Sequence, residues 1–366
     1  MQTEFSKEQH LFREVVARGF KEWSPPSAIR QWMASDAGYD PSVWQQVCGE
    51  VGLSGVHVPE AYGGSGFGPI ELGIVSEEMG RALYCGPFFA SAVMAGCALL
   101  IAASEEHKKA LLPGICSGST IATLVLDDLN EPDRIGRSIR ATDRGSLSGG
   151  AGMVVDAQVS DLLIVVATTT AGLGLYAVDR EAAGVSLVAL EVLDPTRKLS
   201  SVTLDNAPGQ RIGDVTAESL NRIWDQICTA LAHEMIGGAE YLLASTVEYT
   251  KVRFQFGRPI GSFQALKHRC ADLLMEVELA RATTHHAARC LASGDGEPYA
   301  ASMAKAMASD TFMSAAKAGI QLRGGIGFTW EDDTHLWFKR AKSSEVFLGA
   351  PHLHRERMMT IVEGQS

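Results

Sequence analysis

Residues 253–273, RFQFGRPIGSFQALKHRCADL, join two long helical patterns, and how this stretch is read decides the fold. Before it, Leu220–Lys251 repeats apolar side chains at helical spacing; after the break, Phe263–Leu291 does so again. Pro259 and Gly261 interrupt the period, since proline lacks the N–H a helix interior needs and glycine accepts turn conformations. A third pattern, Pro298–Arg323, is rich in Ala and Met and stops at Gly324-Gly325-Ile326-Gly327. Amphipathic helices joined by short turns bury their faces on one another, so residues 217–366 are expected to form a four-helix bundle.

The pattern upstream is different. Residues 119–216 carry short runs rich in Val, Ile, Leu and Thr between turn signals: Thr120–Leu126, Ser138–Ala141, Met153–Ala157, Leu162–Thr168, Gly174–Val178, Val185–Leu190 and Ser200–Leu204. Strands without helices between them point to a small antiparallel sandwich or barrel, with Asp127–Arg137 as a polar loop. Residues 1–118 return to helical spacing over Glu8–Trp23, Pro41–Val51, Pro69–Arg81, Phe88–Ala103 and Glu105–Cys116. The class is therefore α+β, mostly α: helical domain, β domain, bundle.

Composition narrows the function. The chain has 366 residues and a formal net charge of -11, without the basic footprint a nucleic-acid binder needs. Its seven cysteines include no CxxC pair, which speaks against a disulfide framework or a zinc site and for a reducing cytoplasm. The polar start MQTEFSKEQH does not read as a signal peptide. Tyr84–Ser104 is uncharged and nearly long enough to span a membrane. Its Ala, Gly and Cys content, with Pro87 near its start, reads instead as a buried core helix, so no membrane association is expected.

Few motifs carry chemistry. Gly63–Gly68 (GGSGFG) has the spacing of a dinucleotide loop, but no buried strand precedes it, so it reads as a turn between helices. Arg253 ends a long helix beside a sharp turn; it is either a surface arginine favoured by the helix dipole or a fork for a pyrophosphate. Gln321 with Gly324-Gly325 offers a polar side chain and bare backbone, which a glycine cap alone would also explain. His285 and His286 are adjacent in a helix and point to different faces, and His352 and His354 lack an acidic partner at ligand spacing, so no metal is expected.

Three stretches together resemble the acyl-CoA dehydrogenase family. They are VPEAYGGSGFGPIELGIVSEEMGR (58–81), RFQFGRPIGSFQALKHRCADL (253–273) and IQLRGGIGFTWEDDTHLWFKRAK (320–342), in order across most of the chain. The resemblance implies the same three-part fold, assembled into dimers or tetramers, and FAD as cofactor. In that family a Glu takes the α-proton of an acyl-CoA while a hydride leaves the β-carbon for the flavin. Electrons then pass to an electron-transferring flavoprotein. Arg253 matches the family's pyrophosphate-binding Arg and Phe256 its neighbour. Phe263 and Gln264 match a pair that contacts FAD. Gln321, Gly324 and Gly325 match the segment that reaches the FAD of an adjacent subunit.

The chemistry side departs from the family pattern. Leu348 stands where most members have the catalytic Glu, and Ile227 where a minority carry it. Asp225 keeps a family acidic position, Cys228 replaces a CoA-associated Arg, the flavin loop reads TLVLDDLNEPDR (123–134), and Met153-Val154-Val155 replaces Trp-Ile-Thr. Leucine and isoleucine cannot accept a proton. Two arrangements follow. In one, the chain is a subunit of a hetero-oligomer rather than a homo-oligomer, α2β2 being one such assembly, and holds the tail of a FAD whose ring sits in a catalytic partner. That resembles the paired dehydrogenases of actinobacterial steroid side-chain breakdown. In the other, it works alone with a displaced base, Glu234 or Glu345. A non-catalytic scaffold, and an oxidase or monooxygenase of the same fold, remain rivals.

Overall fold

A computed structural model describes residues 5–364; Met1–Glu4 of the polar N-terminal stretch and the last two residues lie outside the described residues. The chain divides into two compact units, each described by itself. One gathers the N-terminal stretch through Ile29, Gly73–Tyr84 and the chain from Cys228 onward; the other holds Arg30–Leu72 and Cys85–Ile227.

In the first unit, α1 (Lys7–Trp23) opens with a capping box, Ser6 Oγ accepting from the Gln9 N–H and Gln9 Oε1 from the Ser6 N–H. The helix α7 (Ala217–Val252) belongs to this unit from Cys228 onward, and α8 (Gln264–Ser293), α9 (Ala300–Arg323), α10 (Thr334–Val346) and α11 (Pro351–Gly364) lie wholly within it. The helix α9 is buried along most of its length among α8, α10 and α11. Its Ala, Ser and Gly content keeps side chains short enough for that central place. The part of α4 (Pro69–Arg81) from Gly73 onward crosses α7 in backbone contact. A Cβ on Gly80 would lie 1.8 Å from the Glu234 carbonyl oxygen, and one on Gly237 1.8 Å from that of Glu77, so only glycine permits this approach.

The second unit contains the sheet: β1 (Ala122–Val125), β2 (Arg140–Ala141), β3 (Ser146–Val155), β4 (Leu162–Thr169), β5 (Gly172–Asp179), β6 (Val185–Ala189), β7 (Leu199–Pro208) and β8 (Gln210–Val215). The order is β6-β7-β3-β2-β4-β5-β8, with β1 also on β4. Most pairs are antiparallel, as expected, but β1 and β2 run parallel to β4. Every residue of β1 is buried, as befits a parallel strand covered on both faces. The sheet buries Val125, Leu163, Val165, Tyr176, Val178 and Val202 in one core.

The same unit holds α3 (Pro41–Gln45), capped by Asp40, and α6 (Glu105–Ser117), capped by Ser104. Between them the uncharged stretch forms a π-helical turn over Phe89–Ala95 and then α5 (Gly96–Ala102), both buried almost throughout. No helix among the described residues is long and apolar enough to cross a membrane.

Candidate functional site

The C-terminal ends of α7 and α9 lie side by side. Tyr249 Oη donates to the Arg323 carbonyl at 3.4 Å, and the Arg323 guanidinium donates to Thr246 Oγ1 at 2.7 Å and Ser245 Oγ at 3.1 Å while pairing with Asp332. Arg253 lies one turn past Tyr249, and Gln321 and Gly324 flank Arg323. This end of the bundle therefore carries Arg253, Gln321, Gly324 and Gly325 together. The Arg253 guanidinium and the Gln321 amide are exposed and make no hydrogen bond or ion pair with the described residues. Gly324 sits at φ 67, and a Cβ on either glycine would meet nothing within 4 Å, so their backbone is open to a ligand.

Between α7 and α8 the chain makes a tight hairpin, β9 (Phe254–Gln255) with β10 (Arg258–Pro259). Phe256 at φ 53 and Gly257 at φ 75 form its tip, which leaves the Phe256 ring 90% exposed. Phe263 meets Phe256 edge-on at 6.1 Å, and the Arg258 guanidinium covers the Phe263 ring at 4.1 Å. Gln264 follows Phe263 as the first, exposed residue of α8. A groove of about 460 Å³ runs beside the hairpin, lined by Thr250, Lys251, Pro259, Gly261 and Lys267 among others. Phe328 and Trp330, just past the glycines, are also largely exposed. An unpaired planar cation, open backbone and aromatic faces suit an anionic diphosphate carrying an aromatic ring.

The position expected to carry a base looks different. Leu348 is fully buried at φ 57, followed by Gly349 at φ 89. The buried Lys305 holds this turn: its ammonium donates to the carbonyls of Ser344 at 3.0 Å and Gly349 at 3.2 Å and to Ser309 Oγ at 3.2 Å. His354 Nε2 meets the Leu348 carbonyl at 2.8 Å. Burial and the Lys305 charge lower the His354 pKa to about 3, so its ring stays neutral. Glu234 is buried and pairs with Arg340 at 3.0 Å, while Glu345 pairs with Lys342 on the surface of α10. Cys228 is buried.

In the other unit Ile227 is buried and Asp225 half-buried. The loop after β1 closes on its own acids: Asp127 Oδ1 accepts from the Gly136 N–H at 2.7 Å, and Asp128 Oδ1 from the Asn130 N–H at 2.7 Å. Met153 is exposed on β3.

Two groupings escaped the sequence reading. Lys305 gave only a weak signal, one lysine in an alanine-rich helix. The larger grouping surrounds Glu77, which is 1% exposed. Its carboxylate accepts from Arg13 at 2.8 Å, faces Arg281 at 3.4 Å, and meets His285 at 3.0 Å. Burial alone would raise its pKa; the His233 ring 3.7 Å away, the hydrogen-bonded His285 and the Arg13 charge outweigh burial and hold it well below the carboxylate range. Glu78 bridges Arg13 and Arg81. Side chains from α1, α4, α7 and α8 meet here at sequence separations no local pattern displays.

Family models match both ends of the chain. The model of the acyl-CoA dehydrogenase N-terminal domain covers residues 6–119 and that of the C-terminal domain residues 228–362. The chain is 38% identical over 349 residues to the acyl-CoA dehydrogenase IpdE2 of Mycobacterium tuberculosis, covering 94% of each. Among solved structures, it resembles a chain of the Tcur3481-Tcur3483 steroid ACAD, with TM-score 0.89, 29% identity and 98% of each chain covered. It also resembles a chain of the ChsE4-ChsE5 complex from Mycobacterium tuberculosis, with TM-score 0.91, 25% identity and 99% of each covered.

Proposed function

The chain belongs to the acyl-CoA dehydrogenase family, flavin oxidoreductases acting on CH–CH bonds, and on that premise we propose that it is the base-free subunit of a heteromeric acyl-CoA dehydrogenase. Its task is to hold the diphosphate end of a FAD whose ring lies in a catalytic partner subunit. One observation carries this reading: the base position is Leu348, a buried hydrocarbon, while the two nearby carboxylates are committed to cations. Similarity to chains of the Tcur3481-Tcur3483 steroid ACAD and of the ChsE4-ChsE5 complex supports a two-subunit assembly of the α2β2 kind.

The residues present fit FAD at one end only. Arg253 would fork onto the diphosphate, Gln321 and the Gly324-Gly325 backbone would donate to it, and Phe256, Phe263 and Gln264 would pack beside the adenosine. When bound, FAD supplies the hydride acceptor for the substrate β-carbon. This chain offers no replacement for a proton acceptor at positions 348 and 227. The substrate class is an acyl-CoA, with electrons passed to an electron-transferring flavoprotein and a steroid-derived or fatty acyl group as the acid. Seven free cysteines support a reducing, cytoplasmic setting.

The stand-alone reading requires Glu234 or Glu345 to be a free base, and the pairing with Arg340 and Lys342 argues against both. A pure scaffold would have no need of the unpaired Arg253 beside open glycines. In a complex co-expressed with a glutamate-bearing partner, Arg253→Ala should strip flavin from the purified protein. Loss of a charge-assisted bidentate contact costs on the order of 2 kcal/mol, roughly thirtyfold in affinity. Undiminished flavin content in that variant would contradict the role given to Arg253.

A further inference from the structure

His285 and His286 point apart, and each joins a different cluster of metal-capable side chains, Glu77–His233–His285 and His286–Cys290–Glu297. Electric charge separates the two. Glu77, Glu78 and Glu240 are already matched by Arg13, Arg81 and Arg281. A divalent ion there would add two uncompensated positive charges to a buried site. The second cluster has no such surplus, and it lies partly open to solvent.

Its geometry is close to that of a metal tripod. His286 and Cys290 stand one turn apart on α8, so their side chains share a face. The helix ends at Gly294, at φ 74, and the chain folds back over its own last turn. A Cβ on Gly296 would lie 2.1 Å from that of Cys290, so glycine lets the loop lie close enough for Glu297 to reach the other two. The Glu297 carbonyl in turn accepts from the Ala300 N–H at the start of α9, which anchors it.

His286 Nε2 lies 2.8 Å from Glu297 Oε2, Cys290 Sγ 3.3 Å from Glu297 Oε2, and Cys290 Sγ 3.4 Å from His286 Nε2. Zinc bonds of about 2.0–2.1 Å to nitrogen, 2.0–2.2 Å to oxygen and 2.3 Å to sulfur set tetrahedral edges of roughly 3.3–3.6 Å. The sulfur edges differ from those lengths by about 0.3 Å or less, and the His–Glu edge opens by about half an ångström.

We propose that His286, Cys290 and Glu297 bind a borderline-soft divalent ion such as Zn²⁺, with water as the fourth ligand, tying the end of α8 to the start of α9. Imidazole, thiolate and carboxylate together form a zinc donor set. Binding forms the metal–sulfur bond and releases the Cys290 thiol proton to solvent. Because the thiol must lose its proton to bind the ion, affinity should rise with pH. The site is independent of the flavin surface and of the functional reading above.

The test is titration of the reduced, metal-stripped full chain, first with Co²⁺ and then with Zn²⁺. The expected result is one Co²⁺ per chain with a thiolate-to-metal absorption band. Cys290→Ser should abolish the band and weaken Zn²⁺ binding at least about tenfold, and Glu297→Gln should weaken it too. Cys270→Ser, at the other half-buried cysteine, should change neither. Each variant is first checked for unchanged helicity and melting temperature. The proposal is overturned by failure to saturate near one ion per chain, by a band that survives Cys290→Ser, or by equal affinity in all variants.

Discussion

Leu348 adopts a backbone conformation that leucine seldom takes, at a cost on the order of 1–3 kcal/mol, and it is held there from both sides. A carboxylate at such a place would serve as a base; a buried leucine fills space. The claim that Glu234 and Glu345 are structural makes separate predictions. Glu234→Gln breaks a buried ion pair with Arg340 and should cost up to about 3–5 kcal/mol, seen as a lower melting temperature. Turnover per folded complex should stay unchanged. Glu345→Gln removes a half-exposed ion pair worth at most about 1 kcal/mol and should leave both stability and turnover near wild type. Large loss of turnover in either variant at intact stability would restore it as the base.

At the scale of elements, Lys305 is the joint between α9 and the end of α10. Lys305→Met removes hydrogen bonds to the carbonyls of Ser344 and Gly349 at once. Each bond to a charged donor is worth about 1.5–3 kcal/mol, so global stability should fall and amide exchange quicken locally in residues 344–349. Exchange across α8 should be little changed; uniform acceleration would mean that Lys305 supports the whole bundle instead.

The same scale shows what the sequence disclosed. Long helices such as α7 and α8 were legible because burial along one face repeats with the helix period. The strand β8 was missed because QRIGDV is polar and contains glycine; pairing with β5 overrides its weak propensity. The glycine-rich first half of β3 escaped for the same reason, being held by β7. The short α2 (Pro26–Ala34) was passed over, and α10 and α11 were not resolved as helices of their own. The metal-capable His286–Cys290–Glu297 group was invisible because its third donor enters from a loop beyond the helix. The alignment of the ends of α7 and α9, through Tyr249 and Arg323, was not legible at all, since no local rule brings two helix ends together.

For the molecule as a whole, buried histidines set the response to acid. Burial lowers the His57 pKa to about 4, and that of His354 lies lower still. An unfolded histidine titrates near 6.5, so the unfolded chain takes up protons first as pH falls. Their contribution is complete above about pH 6.5 and is lost as pH falls toward about 4. The depressed Glu77 acts in the same direction lower down, its contribution fading as pH drops below about 4.5. The urea midpoint should therefore decline between pH 7.5 and pH 5, and His57→Phe should flatten the decline; a midpoint level across that range would refute this assignment.

The division of labour between subunits is tested most directly by acyl-CoA turnover with an artificial electron acceptor, measured on this chain alone and on its complex with the glutamate-bearing partner. Expected are no turnover from the chain alone, turnover from the complex, and its abolition by changing the partner's glutamate to glutamine. Turnover by this chain alone, or by the complex after that change, would contradict it.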